Sequence, residues 1–149
     1  MADLSTEPGP RQSAVFESVT WAAPCPECGA ELECHGVQAL VTGRPRWDVE
    51  SVCSACGFAL AACGGELPVE RREQLLAVHG PARLRVSDPR ARHVLIMRVL
   101  RAGTGLDLVS AKAEARRVVS GEYSGTSAEM EYLAGKLRAC GVGVAVVRG

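Results

Sequence analysis

Two short segments of the chain are built alike. Cys25-Pro26-Glu27-Cys28-Gly29 and Cys53-Ser54-Ala55-Cys56-Gly57 each place two thiols three positions apart and follow the second with a glycine. A two-residue spacer lets both thiolates of a pair reach one metal ion while backbone amides of the turn point back at the sulfurs. The trailing glycine permits the positive φ that such a turn requires. The 24 residues between Cys28 and Cys53 suffice for a hairpin that brings the second pair back to the first. This spacing predicts a zinc ribbon in which Cys25, Cys28, Cys53 and Cys56 hold one Zn²⁺. Four thiolates fill a tetrahedral shell and leave no position for water, so the ion is expected to be structural rather than catalytic. Two readings compete with this one: four buried thiols, or redox-active Cys-x-x-Cys. A redox pair belongs in a β-α-β setting and has no reason to occur twice with matching glycines.

Other residues near the pairs are candidate ligands too. Cys34 and His35 lie between them and Cys63 follows the second, so each could substitute in the metal shell. The four paired thiolates already complete that shell, which favours packing or neighbouring roles for the three. Cys140, at the end of a helical segment, is expected in the core.

Seven cysteines, an odd number, read as ligands and thiols of a reducing compartment rather than a disulfide framework. Met1-Ala2-Asp3-Leu4-Ser5-Thr6-Glu7 carries acid where a signal peptide carries base, and no apolar run approaches the roughly 20 residues of a membrane span. A cytoplasmic protein is expected, with no membrane partner.

Between turn signals the chain divides in two. Residues 1–13, with Pro8, Gly9 and Pro10, read as a disordered lead. A zinc ribbon with a C-terminal helix is expected over 14–80. Its first strand is the β-branched alternation from Val15 to Trp21, two more flank Gly43-Arg44-Pro45-Arg46, and another follows Gly57 through Leu60. The helix runs from Pro68 to His79, with Leu75, Leu76 and His79 at helical spacing and Gly80-Pro81 as its stop. From residue 81 onward, Ala82–Val86 reads as a strand and Asp88-Pro89 opens a helix to about Ala102, its core stripe being Val94, Met97 and Leu100 widened by Leu95 and Ile96. A second helix spans Leu108–Val119 with Leu108, Ala111, Ala115 and Val119 on one side. Thr126-Ser127-Ala128-Glu129 is a capping box that starts a third helix, Gly141 ends it, and Val142–Val147 closes as a strand.

Charge separates the halves. The whole chain is neutral, but residues 1–90 hold 8 Arg against 12 acidic residues, net −4, and residues 91–149 hold 9 Lys and Arg against 5, net +4. Arg44-Pro45-Arg46-Trp47 has the make-up of a loop that stacks and pairs with single-stranded nucleic acid. Its half is net acidic, which favours a plain β-turn with solvated arginines and makes nucleic acid an unfavoured partner.

The stretch His93-Val-Leu-Ile-Met-Arg-Val-Leu-Arg-Ala-Gly-Thr-Gly-Leu-Asp-Leu-Val-Ser-Ala-Lys112, with the capped helix at Thr126 and the closing Cys140-Gly141-Val142, resembles the C-terminal domain of the bacterial ribosomal stalk protein. The likeness covers about 82–149. It implies a small β-α-α-β-α-β domain with a three-stranded sheet, hence an α+β chain overall. In that family the basic face of the first two helices meets translational GTPases, and Arg98, Arg101 and Lys112 fall on matching positions. The chain departs from the family at His93, Asp107 and Val109, and has a zinc-binding segment where the family has its dimerisation region.

No constellation of nucleophile, base and acid is legible, and Gly103-Thr104-Gly105 is too short for a phosphate loop, so no enzyme activity is expected. The leading expectation is an adaptor that binds another protein, one version being a neutralising, immunity-type partner. A ribosome- or translation-factor-associated protein and a nucleic-acid binder acting through the ribbon loop are the alternatives.

Overall fold

A computed structural model describes residues 15–87 and 93–148. The lead expected over 1–13 and the helix opening at Asp88-Pro89 lie outside the described residues. The fold is mixed α and β, with two antiparallel sheets and, among the described residues, four helices.

The first sheet takes its shape from alternation. Strands β1 (Phe16–Pro24), β2 (Glu31–Val41), β3 (Arg44–Cys53) and β4 (Ala59–Gly65) follow one another in sequence and in space. In β2, Leu32, Cys34, Gly36 and Gln38 are buried while Glu31, Glu33 and His35 face water, the period-2 pattern of a sheet covered on one side. The hairpin joining β2 to β3 turns at Thr42-Gly43, where both residues have positive φ (49° and 78°). Such a two-residue loop matches the right-handed twist of its strands. The turn therefore lies earlier than Gly43–Arg46, and Arg44 to Trp47 belong to a strand. Trp47 faces inward, 5% exposed, and stacks on Trp21 with ring centroids 6.1 Å apart. Gly36 makes this possible, because a Cβ there would collide with both indoles.

Helix α1 (Val69–His79) lies over this face. Leu75, 1% exposed, joins Val19 and Trp47, and the Arg71 guanidinium sits 4.4 Å over the Trp21 ring. Gly80 (φ 79°) stops the helix, its amide bonding back to Leu76.

The second sheet has order β6–β5–β7, from β5 (Ala82–Val86), β6 (Ser124–Gly125) and β7 (Val144–Arg148). Helices α2 (His93–Thr104), α3 (Leu108–Ser120) and α4 (Ser127–Ala139) enclose the main apolar core with it. The capping box forms as read: Thr126 Oγ1 accepts from the Glu129 amide at 3.3 Å, and Glu129 Oε1 from the Thr126 amide at 2.9 Å. Asp107 caps α3 by accepting from the Ser110 amide at 2.7 Å, which draws its carboxyl below the usual range.

Two helical faces differ from expectation. In α2 the buried residues are Ile96, Val99 and Leu100, while Val94 is 67% exposed and Met97 half-buried. In α3 they are Ala111, Ala115 and Val118, while Leu108 is 60% exposed. Both helices are apolar over more than one stripe, and mutual packing, with α2 also against α4, selects the buried one. Cys140, the C-cap of α4, is exposed rather than core, and Leu137 and Val142 on either side of it in sequence belong to the core.

The contact between the two layers includes a buried carboxylate. Glu17, 5% exposed, shares the inward parity of Val19 on β1. It accepts from the Ser127 amide at 3.0 Å and from Arg148 at 3.0 Å, and lies 3.7 Å from His79. Arg72 grips Glu129 with two contacts of 2.9 and 2.8 Å, tying α1 to α4. Replacing Glu17 leaves a part-buried amide and an arginine without their acceptor. Glu17→Ala should cost about 2 kcal/mol in urea unfolding, and Arg148→Ala, whose side chain is half exposed, distinctly less; equal small losses would mean that the two layers do not depend on this node.

Candidate metal centre

The two cysteine turns sit at one end of the first sheet because each joins the strands of a hairpin: 25–30 connects β1 to β2 and 54–58 connects β3 to β4. Their backbones are superposable in their bonding. The Gly29 amide donates to the Cys25 carbonyl and that of Gly57 to Cys53, both at 2.9 Å. The Cys25 amide donates to Ala30 at 2.7 Å and that of Cys53 to Phe58 at 2.8 Å. Gly29 and Gly57 take φ of 74° and 79°, a conformation that strains any residue with a Cβ.

This backbone brings all four sulfurs within 4.8 Å of one another. Cys25 Sγ lies 3.7 Å from Cys56 Sγ, and Cys28 Sγ 3.6 Å from Cys53 Sγ. Sulfurs arranged tetrahedrally at about 2.3 Å from a centre are about 3.8 Å apart, so these two pairs have the length of opposite edges of such a shell. The first cysteine of each turn is buried and the second exposed, which leaves the cluster open to solvent on one side.

The thiols of the cluster affect one another's ionisation. Amides of Cys56 and Ala55 and the thiol of Cys28 draw the Cys53 thiol down to about 7, against desolvation. At Cys56 the Phe58 amide pulls the same way, yet desolvation and the thiols of Cys28, Cys25 and Cys53 outweigh it and push the group up to about 12. Negative sulfurs this close repel one another, so they cannot all ionise unless a cation sits among them. The four cysteines can therefore hold a metal ion.

The other candidate ligands stand apart. Cys34 is buried beneath the cluster, where it takes a 3.4 Å contact from Ser51 Oγ. His35 is on the outer face of β2, level with Thr20 and Glu50. Cys63 is level with Asp48 on β4, and Asp48 accepts from Arg46 at 2.9 Å. Elsewhere, Arg98 and Arg101 line one cleft with Val94, Met97 and Leu108, of about 340 Å³. Lys112 is exposed on α3 and does not line it. The apolar members of that cleft were not singled out as surface residues, because their spacing matched a core stripe. A second hollow of about 230 Å³ lies between the layers, and the Arg72 charge within it is already matched by Glu129. No helix among the described residues is long and apolar enough to cross a membrane.

Cys53→Ser should abolish metal binding by the full-length protein, measured by elemental analysis, whereas Cys34→Ser and Cys63→Ser should retain it; loss of metal in Cys34→Ser without loss of fold would place a ligand outside the four. No family model matches the chain, and comparisons with curated proteins and with solved structures return no match, so the reading of this centre rests on its own geometry.

Proposed function

We propose that the chain is a non-enzymatic protein-interaction adaptor whose N-terminal sheet is held by one structural Zn²⁺. Four thiolates at tetrahedral spacing suit zinc, which imposes no other geometry and carries no redox chemistry. The ion would supply cross-linking only: with four sulfur ligands it has no open position.

The observation that carries the binding role is the cleft between α2 and α3. Val94 and Leu108 are 67% and 60% exposed there, and Val109, next along α3, is 80% exposed. Apolar side chains grouped on a surface mark a contact site when polar groups rim them. Here Arg98 and Arg101 form the rim, so the fitting occupant is a segment of another protein that offers apolar side chains flanked by carboxylates. The order β5-α2-α3-β6-α4-β7 and the place of these arginines support a more specific version, in which the partner belongs to the translation machinery, as for the stalk-like family. Nucleic acid is disfavoured as a partner because Trp47, the aromatic residue needed for stacking, is buried.

Arg98→Glu/Arg101→Glu should leave metal content and melting temperature close to wild type, since both side chains are exposed. It should abolish co-purification of the partner recovered by the wild-type protein, and wild-type capture should weaken as salt rises. Capture that survives both charge reversal and a Leu108→Asp substitution would exclude this cleft.

A further inference from the structure

The two edges of the first sheet are treated differently. On β1 the Val15 carbonyl bonds the Leu40 amide of β2, so by alternation the carbonyls of Ser18 and Thr20 point outward. Helix α1 covers both: Gln74 Nε2 donates to Thr20 O at 2.8 Å, and His79 Nε2 lies 2.8 Å from Ser18 O. On β4 nothing equivalent is present among the described residues. Strand β4 pairs with β3 alone, and all seven of its residues are exposed.

An open edge is a template for another strand, and proteins that avoid this place charges or proline there. Ala59-Leu60-Ala61-Ala62-Cys63-Gly64-Gly65 has neither. The register shift opposite Trp47 and Asp48 falls at Gly64 (φ 77°), which leaves 59–63 as the regular part of the edge. The Cys53 amide bonds the Phe58 carbonyl, so Leu60 and Ala62 turn their backbone groups to β3, and Ala59, Ala61 and Cys63 turn theirs outward.

We propose that β4 is a self-association edge: two copies of this chain pair antiparallel through residues 59–63 about a two-fold axis at Ala61. Ala61 then opposes itself, Ala59 opposes Cys63, and Leu60 opposes Ala62. An isologous contact puts every charge near its own copy, and a strand without charges is the one that bears this. A partner recognised by charge or by deep pockets finds neither on a row of methyl groups. The added contact is one strand long, so the dimer forms as concentration rises and is not permanent.

Sedimentation of the full-length, metal-loaded protein under reducing conditions tests this. Wild type should pass from monomer to dimer between low micromolar and sub-millimolar concentration. Ala61→Lys and Ala61→Glu, each at an exposed position, should keep the metal and the melting temperature and weaken self-association roughly fivefold or more by opposing like charges across the axis. An equimolar mixture of the two should dimerise again. A wild type that stays monomeric throughout, or a dimer untouched by either variant, would overturn the proposal.

Discussion

The cluster of four sulfurs does work at its end of the sheet that apolar burial does elsewhere. Among the described residues the buried group there is Cys25, Leu32, Cys34 and Cys53, edged by Trp21, Ala23, Ala30 and Phe58. This cluster is small beside the core of the second layer. A cation held by the two turns, as proposed, would tie hairpin β1–β2 to hairpin β3–β4 at this end. At the opposite end the chain closes itself, through the tight turn at Thr42-Gly43. Because no metal site exists in an unfolded chain, the energy of binding such an ion would be folding energy for the sheet.

From that anchored end the dependence runs inward. The sheet presents Trp47 and Trp21 to helix α1, and the absence of a side chain at Gly36 lets the indoles lie against the strand. Helix α1 then fixes its own charges: Arg71 over Trp21, Arg72 on Glu129, His79 against β1. Through Glu17, Arg148 and Ser127 the same face meets the second layer, whose apolar core of Ile96, Leu100, Leu137 and Val144 is separate from the first. The link between layers is largely polar, while each layer has its own apolar cluster.

What could be read from the residues follows local physics. The duplicated cysteine turns, the Thr126 capping box, the stop at Gly80 and the strand beginning near Phe16 depend on neighbours in sequence, and the structure places all of them as the pattern required. The faces of α2 and α3 depend on distant neighbours. Val94, Leu95, Ile96, Met97, Val99 and Leu100 cover most of α2's circumference, so periodicity alone cannot say that the burial centres on Ile96 and Leu100 and leaves Val94 at the exposed edge of the broad stripe. Val94, Met97 and Leu108, expected in the core, instead line the exposed apolar cleft. Cys140 failed for a related reason, since a helix end can leave its last side chain in water. Glu17 was visible in principle, because β1 alternation puts it on the face of Val19 and Trp21, but a carboxylate at an inward position has no sequence signature for its partners.

The proposed centre is an ion held by sulfur alone. X-ray absorption at the zinc K-edge of the protein purified under reducing conditions measures that shell directly. Four sulfur neighbours at about 2.3 Å, with no nitrogen or oxygen scatterer, are the predicted result. A shell containing nitrogen or oxygen, or a metal-free folded protein with its cysteines in disulfides, would contradict it.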